Sequence, residues 1–346
     1  MKIIEIQTDT KLSKILIGEK IANLKRYLPP VKTVVITDKT VSGHYHEYFK
    51  GFDVIEIGEG EGNKTLDTLQ YILNQFVELE VDRSSFIVAF GGGIVCDVAG
   101  FAASVFMRGV SFGFVSTTLL SQVDASVGGK NGVNFQRYKN MIGVFNQPEF
   151  VICDSEVLKT LNRKEYVAGF AEIIKAAVIK DYNLFKYLER NWQSALSLNE
   201  QVVNHLVYES VKIKSKVVEA DEKEKGERRL LNFGHTFAHS LEKLTDLLHG
   251  EAVSIGMVLA AKLSEKLGFL SNKEFQRIYA LLSNFGLPVD VNLEMNKVFS
   301  AMKQDKKREG DSIHLVLIEQ IGEAFTYKTK LTKVEELIHD LHSDIG

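Results

Sequence analysis

"VAFGGGIVCDVAG", residues 88–100, runs from an apolar strand pattern through three glycines into a helical pattern. Such a unit is typical of dinucleotide-binding sites, because glycines let backbone N–H groups and a helix N-terminus approach a pyrophosphate. The Rossmann fingerprint G-x-G-x-x-G is incomplete here, since Cys96 stands at its sixth place, and several strand patterns precede it. The alternative is a tight turn that only lets strand and helix pack, and the stretch alone leaves both interpretations open.

The composition is that of an ordinary globular protein. The chain has 346 residues, of which 45% are hydrophobic and 25% charged, with a formal net charge of −3. This length predicts two domains, and the near-neutral charge gives no reason to expect a nucleic-acid partner. No apolar run approaches the ~20 residues of a membrane span, so no membrane partner is expected. Two cysteines, Cys96 and Cys153, suit a reducing compartment, and the expected location is the cytoplasm.

The pattern of the chain changes near residue 150. Before it, β-branched runs alternate with helical patterns at 32–38, 52–58, 85–90, 110–117 and 150–154, which predicts a mostly parallel sheet. After it, helical periodicity dominates at 162–179, 201–220, 227–244 and 250–268, with one predicted hairpin at 313–319 and 323–329. We therefore expect a Rossmann-like α/β domain over 1–154 and an all-α domain over 155–346, with a ligand cleft at their junction.

Two aspartates are candidates for cofactor contact. Asp38 ends the strand pattern "VVITD", where an acid can bind the ribose hydroxyls of adenosine or cap the following helix. Asp97 lies in the first turn of the helix after the glycines, as a partner of the helix dipole or as a group that binds a hydroxyl. The residues themselves leave these alternatives open.

A metal site is the strongest chemical prediction from the helical half. His235 and His239 in "NFGHTFAH" are four apart and share one helix face, and His249 in "LHGEA" begins the next helical pattern. Glu172 in "GFAEIIKAAVI" is flanked by apolar residues, so its carboxylate needs a partner. Each histidine taken alone is more often a core or surface residue. Together with the glutamate they predict a Zn²⁺-like ligand set with open positions.

Several separated motifs resemble the 3-dehydroquinate synthase family, within the sugar-phosphate cyclases. They are "GGGIVCDVAGFAASVFMRG", "STTLLSQVDASVGGKNGVN", "KNMIGVFNQP", "GFAEIIKAA", "ERRLLNFGHTFAHSLE", "HGEAVSIGM" and "DKK" (305–307). The resemblance spans nearly the whole chain. Cys96 and Asn131 stand where many members have Gly and Thr, and "GEGEGNK" (58–64) replaces a commoner acidic-glycine loop, which affects loop geometry rather than activity.

The resemblance implies a dehydroquinate-synthase-like fold and a phosphorus–oxygen lyase of the shikimate pathway, which leads to chorismate and the aromatic amino acids. Members use NAD⁺ and one divalent metal, Zn²⁺ or Co²⁺, to convert 3-deoxy-arabino-heptulosonate 7-phosphate into 3-dehydroquinate and phosphate. The substrate is oxidised at C5, loses phosphate by elimination, is reduced again, and closes by an intramolecular aldol step. NAD⁺ is regenerated within each turnover.

The resemblance also implies site residues. The metal ligands are Glu172, His235 and His249. The NAD contacts are Glu59, Gly60, Glu61, Lys64, Gly92, Gly93, Asp97, Thr117, Thr118, Asp124, Lys130 and Lys139, beside the candidate Asp38. The substrate contacts are Lys130, Asn140, Lys175, Lys214, Arg228, Asn232, His239 and one or both of Lys306 and Lys307. Arg108 matches a position that reaches the phosphate from the neighbouring subunit, which implies a homodimer. Without the resemblance, the charged surroundings of Lys214 indicate a solvated helix face.

Three other functions differ in class from this one. A metal-dependent polyol or alcohol dehydrogenase has a similar layout, but it does not need the phosphate- and carboxylate-binding groups of "VDASVGGKNGVN" and "DKK". Another sugar-phosphate cyclase, making a deoxy-inosose or valiolone skeleton, is disfavoured by Asp97, "GGK" and Arg228 together. A non-catalytic NAD-binding protein is disfavoured because the predicted metal ligands are intact.

Overall fold

The computed structural model describes residues 1–8, 11–136, 138–224, 226–291, 293, 295–302, 308–309 and 312–341. The chain forms two compact units. The first unit comprises Met1–Asn162 and Val203–Lys223, and the second comprises Arg163–Val202 and Glu224–Gly346. The first unit is thus built from two separate pieces of the chain. The boundary at 154/155 and the roles assigned to its two sides remain predictions.

The strands of the described residues lie mostly in the first unit. They are β1 (Lys2–Gln7), β2 (Leu12–Ile17), β3 (Thr33–Asp38), β4 (Asp53–Ile57), β5 (Phe86–Gly91), β6 (Ser111–Ser116), β7 (Lys130–Phe135), β8 (Tyr138–Phe145), β9 (Phe150–Cys153), β10 (Arg308–Glu309), β11 (Ser312–Gln320) and β12 (Glu323–Lys330). The predicted strands at 32–38, 52–58, 85–90, 110–117 and 150–154 are confirmed to within a residue or two at each end.

The α-helices lie in both units. They are α1 (Lys39–Tyr45), α2 (Leu66–Glu78), α3 (Gly93–Val105), α4 (Arg163–Lys180), α5 (Tyr182–Leu196), α6 (Glu200–Ala220), α7 (His235–Leu244), α8 (His249–Lys266), α9 (Asn272–Asn284), α10 (Met295–Met302) and α11 (Leu331–Leu341). A π-helical turn spans Ser121–Ala125 and a 3-10 helix spans Glu227–Asn232. No helix in this described set combines the length and apolar composition of a membrane span.

The main sheet of the first unit, as far as the chain is described, has the order β1-β2-β9-β6-β5-β3-β4. The β1–β2 pair is antiparallel and the other neighbours are parallel, which confirms the mostly parallel α/β fold. The sheet is buried because its central strands are continuous apolar runs. Val35 pairs with Val88, and Val115 pairs with Ile152, within one core cluster. Burying each such side chain contributes about 1.5–3 kcal/mol.

The strand order of this sheet reverses between β3 and β5. The chain moves outward from β3 to β4 in one direction and from β5 to β6 in the other. The carboxyl ends of β3 and β5 therefore flank a topological switch point, which is where open α/β sheets bind ligands. Asp38 ends β3, and the glycine turn Gly91–Gly93 joins the last residue of β5 to the first residue of α3.

The second unit is helical and carries one antiparallel sheet. The strands β11 and β12 pair antiparallel, as the predicted hairpin requires, and β10 adds to β11. Helix α8 packs closely on two neighbours. A side chain at Gly250 would meet the backbone of Ala168 in α4, and one at Gly256 would meet the backbone of Gly234 before α7. These glycines let the helix backbones touch.

Besides elements that the sequence analysis did not predict, such as β2, α5 and α9, two features near the predicted site residues differ from the predictions. The sequence predicts one helix over 227–244. Instead, the 3-10 helix and α7 are separated at Gly234, which takes the left-handed conformation with φ +77°, so this prediction is wrong. The hairpin of β7 and β8 is not predicted, because most of β8 is exposed and lacks the alternation of a half-buried strand.

Candidate active site

Three side chains that the sequence predicts as metal ligands meet in the second unit. Glu172 lies in the middle of α4, and His235 and His249 are the first residues of α7 and α8. Their ligand atoms all lie within 4.8 Å of one another. Glu172 Oε1 is 3.7 Å from His235 Nε2 and 3.5 Å from His249 Nε2. The close helix packing thus places two imidazoles and one carboxylate around a common point.

The orientation of both imidazoles is fixed by hydrogen bonds at Nδ1, the nitrogen that faces away from Glu172. His249 Nδ1 donates to Glu242 Oε1 over 3.1 Å, and His235 Nδ1 lies 3.2 Å from the carbonyl oxygen of Phe233. A carboxylate and a carbonyl only accept hydrogen bonds, so both Nδ1 atoms carry the proton. In the neutral form of each ring, Nε2 then has its lone pair directed at the common point, as in metal-binding histidines.

The charges around Glu172 fit a divalent cation. Its side chain is 2% exposed, and Oε2 forms an ion pair with Lys175, which confirms the expected partner. Oε1 is buried and makes no hydrogen bond to the residues that the structure describes. An unsatisfied carboxylate oxygen facing two imidazole nitrogens is the donor set of a Zn²⁺-type site. In the metal-free protein, burial lowers the pKa of His249, but the carboxylates of Glu172 and Glu242 outweigh it and raise the pKa to about 10, so an ion that binds at Nε2 displaces a proton.

The other predicted residues of the second unit lie on the same elements as these ligands. Lys175 follows Glu172 by one turn of α4, and His239 follows His235 by one turn of α7, with ring centroids 5.8 Å apart. Arg228 is buried in the 3-10 helix, and Asn232 at its end donates to Glu224. Lys306 and Lys307 lie outside the described residues.

The glycine turn of the first unit packs against a neighbouring loop. A side chain at Gly92 would lie 3.0 Å from Thr118 Cγ2, and one at Gly93 would lie 2.9 Å from Ala125 Cβ. The glycines therefore permit close packing within the protein, which is one of the two interpretations left open by the sequence. Gly92 and Gly93 also leave the start of α3, beside Thr117 and Thr118, without side chains. Binding of a cofactor there remains a proposal.

Two acids predicted as cofactor contacts lie near this edge of the sheet, but Asp97 stands in the second turn of α3, so its predicted place in the first turn is wrong. Asp97 forms an ion pair with the buried Lys64; burial raises the pKa of Asp97, and the charge of Lys64 opposes that rise. Asp38 caps α1 by accepting a hydrogen bond of 2.9 Å from Val41 N. Burial raises the pKa of Asp38 as well. The capping role of Asp38 is therefore present, and a role toward a ribose stays a prediction.

Lys214 is buried, so the solvated face suggested by its charged neighbours is wrong. Its Nζ donates to the carbonyl oxygen of Asp124 at 2.7 Å and to the Asp124 carboxylate at 2.5 Å. Both residues belong to the first unit, because α6 packs there rather than with the other helices of the C-terminal half. This contact joins α6 to the π-helical turn beside α3.

The remaining predicted residues of the first unit lie at its surface. Lys130, Lys139 and Asn140 are exposed on the β7–β8 hairpin, and Arg108 is exposed in a turn with φ +68°. In the loop 59–64, Glu59 accepts from Thr40 Oγ1 at 2.6 Å and Glu61 accepts from Asn134 Nδ2 at 2.8 Å. Gly60 has φ +80° there, a conformation that favours glycine.

The sequence prediction misses Glu242, which holds His249. A signal was available, because residues 235, 239 and 242 are spaced i, i+4, i+7 and share one helix face. A carboxylate on the face that carries two histidines is a candidate partner of a metal ligand.

Comparison with known proteins identifies the family. The family model described as 3-dehydroquinate synthase N-terminal matches residues 54–168, and the one described as 3-dehydroquinate synthase C-terminal matches residues 169–308. The 3-dehydroquinate synthase of Thermoanaerobacter pseudethanolicus is 42% identical over 327 residues, covering 91% of each chain. This chain belongs to the 3-dehydroquinate synthase family.

Solved structures of other cyclases share the fold of this 3-dehydroquinate synthase family member. A 2-epi-5-epi-valiolone synthase from Streptomyces hygroscopicus, with NAD⁺ and Zn²⁺ bound, has a TM-score of 0.86 and 27% identity over 99% of both chains. A 2-deoxy-scyllo-inosose synthase, complexed with carbaglucose-6-phosphate, NAD⁺ and Co²⁺, has a TM-score of 0.88 and 24% identity over 98% of this chain and 100% of that one. The predicted dehydroquinate-synthase-like fold is confirmed.

Proposed function

We propose that this chain converts 3-deoxy-arabino-heptulosonate 7-phosphate into 3-dehydroquinate and phosphate, the reaction of its family. The observation that carries the proposal is the cluster of the buried Glu172 with the partly buried His235 and His249, with one carboxylate oxygen left unsatisfied beside two oriented imidazoles. It occurs in a chain that is 42% identical to a 3-dehydroquinate synthase over 91% of its length. A scaffold protein would have no use for two imidazoles gathered around a buried carboxylate.

Glu172, His235 and His249 would hold one divalent ion, Zn²⁺ or Co²⁺, as the neighbouring cyclase structures suggest. When bound, the ion supplies Lewis-acid polarisation of a substrate hydroxyl, and NAD⁺ supplies a hydride acceptor that is restored within the turnover. Lys175 balances the charge of Glu172 and leaves Oε1 available as a ligand.

NAD⁺ is assigned to the switch point of the first unit. The N-terminus of α3 begins at Gly92 and Gly93 there, which allows backbone N–H groups to face a pyrophosphate. Asp38 at the end of β3 is assigned to a ribose, and Asp97 with Lys64 lies beside the same edge. The further contacts implied by the family are assigned with them, namely Glu59, Gly60, Glu61, Thr117, Thr118, Asp124, Lys130 and Lys139.

Cationic and amide side chains are assigned to the substrate carboxylate, hydroxyls and phosphate. Arg228 is 2% exposed, and a buried guanidinium forms strong charge-assisted bonds with phosphate or carboxylate oxygens. His239 lies one turn from His235 and can exchange a proton with a group bound next to the metal ligands. Phosphate elimination requires the leaving group to be oriented, and these residues, with Lys130, Asn140, Lys175, Lys214 and Asn232, would provide that orientation.

A cytoplasmic homodimer is the assembly that we assign to this enzyme. β8 pairs with β7 along one edge, and within the described residues no strand pairs with its other edge. Met141 and Phe145 lie on one face of β8 and are 43% and 47% exposed. An exposed apolar edge strand is a site of association unless it is covered. Arg108, also exposed, would then reach the site of the partner.

Turnover with a substoichiometric amount of NAD⁺ tests the proposed function. Metal-loaded protein and 3-deoxy-arabino-heptulosonate 7-phosphate should release phosphate over many turnovers without net NADH, because the hydride returns to the substrate. Stoichiometric NADH without phosphate release would instead indicate a polyol dehydrogenase. Glucose 6-phosphate, whose carba analogue occupies the 2-deoxy-scyllo-inosose synthase structure, is the parallel substrate. Preferential turnover of that sugar would indicate a different cyclase.

A further inference from the structure

Glu242 is a buried carboxylate that no role in the reaction accounts for. It lies in the last turns of α7, and its side chain is only 4% exposed. Its Oε1 is 3.1 Å from His249 Nδ1, on the side of the imidazole opposite to Glu172. Burying a carboxylate is costly, so a buried one is retained where its charge is used.

His249 is the ligand with the least support from packing. Its side chain is 32% exposed, compared with 12% for His235 and 2% for Glu172. An exposed neutral imidazole can rotate and can carry its proton on either nitrogen, and only the form with the proton on Nδ1 leaves Nε2 able to bind a metal. The Glu242 carboxylate accepts a hydrogen bond from Nδ1 and thereby selects that form.

His235 provides an internal contrast. Its Nδ1 faces the carbonyl oxygen of Phe233, a neutral acceptor only two residues away in the chain. His249 instead has a charged acceptor seven residues away, on the preceding helix. A charge-assisted hydrogen bond is roughly twice as strong as a neutral one, and a carboxylate raises the basicity of the ligand more than a carbonyl does.

We propose that Glu242 is a positioning residue of the metal centre, which fixes the tautomer and direction of His249 and thereby increases the affinity for the ion. The inference rests on the metal site proposed above. Glu242 is assigned no contact with the ion, and its effect on metal binding is exerted through the hydrogen bond to His249. The contact between α7 and α8 is therefore part of the metal site.

The test measures metal binding rather than turnover. The Zn²⁺ dissociation constant of metal-free protein, from competition with a chelator, should rise about 10- to 100-fold in Glu242→Ala. Glu242→Gln should give a smaller rise, because the amide oxygen still accepts from Nδ1 but carries no charge. The visible absorption spectrum of the Co²⁺ form should change in Glu242→Ala, since the direction of one ligand changes, and should change less in Glu242→Gln, where the amide oxygen still accepts from Nδ1. Circular dichroism of the metal-free proteins verifies that each variant is folded.

Two control experiments distinguish failure of the role proposed for Glu242 from failure of the metal site itself. Glu265→Gln removes a carboxylate of the same unit that contacts Lys262, and it should leave the dissociation constant unchanged. In a His249→Ala background, Glu242→Ala should cause no further loss. An unchanged Zn²⁺ dissociation constant and Co²⁺ spectrum in folded Glu242→Gln and Glu242→Ala would overturn the role of Glu242. Unchanged Zn²⁺ binding in His249→Ala would overturn the metal site itself.

Discussion

The two carboxylate oxygens of Glu172 have different surroundings. One of its oxygens neutralises Lys175, and the other faces two imidazoles without a hydrogen bond in the described structure. We expect Glu172→Gln, His235→Ala and His249→Ala each to lose most bound metal while staying folded, because two remaining protein ligands do not complete the site. Metal content after dialysis, measured by elemental analysis, tests this. Full occupancy in any variant removes that residue from the ligand set.

Substitution of His239 should lower the rate of phosphate release without lowering the metal content. It shares a face of α7 with His235, but it does not belong to the group of mutually close ligand atoms. His239→Ala should retain stoichiometric metal and release phosphate at least ~10²-fold more slowly, the usual contribution of a positioned acid or base. The two measurements are metal content and the rate of phosphate release on one preparation. Loss of metal would show that His239, rather than its neighbour, is a ligand.

At the scale of elements, the distance between α7 and α8 depends on a glycine. A methyl group at Gly256 would press on the backbone next to α7, which cannot move aside as a flexible side chain can. Gly256→Ala should therefore cost about 1–3 kcal/mol of unfolding free energy and weaken Zn²⁺ binding as His249 moves from His235. Urea unfolding and chelator competition measure the two effects.

Gly43 provides the matched control for that substitution. It lies inside α1, and a methyl group there would meet nothing within 4 Å. Gly43→Ala should leave metal binding unchanged and increase stability by up to about 1 kcal/mol, since alanine favours a helix. Equal effects of the two substitutions would contradict the role given to the helix packing.

The elements that the sequence predicts are those whose burial leaves a clear pattern. β5 and β9 are buried at every position, so each is a continuous apolar run between turns. The break at Gly234 is invisible in the pattern, because helical periodicity continues on both sides of it. Lys214 is buried by tertiary packing, which could not be predicted because its neighbours in the sequence are charged. Residue type and spacing predicted a cluster of histidines with Glu172, and the family resemblance chose His235 over His239, whereas the contact of Glu242 depends on how two helices meet.

At the scale of the whole molecule, the exposed edge of β8 predicts self-association. Met141→Lys and Phe145→Lys place a charge on that edge, where both side chains are already exposed, so the fold should tolerate them. We expect sedimentation velocity to show a dimer for the parent chain and a shift toward monomer for the variants. Val77→Lys on α2, at a position 68% exposed, is the control that should remain dimeric. A monomeric parent chain would exclude this interface.

The divided first unit has a consequence for how the chain is made. As the chain leaves the ribosome, the strands up to β9 appear first, but α6 follows only after residues 163–202 have been synthesised. Until then Asp124 lacks the lysine that anchors its turn. N-terminal domains usually fold before the following domain is synthesised, but the first unit of this chain cannot finish folding until part of the second unit has been synthesised. A fragment cut at Asn162 would lack α6, and with it the ion pair between Lys214 and Asp124, so we expect it to be less stable than the whole chain.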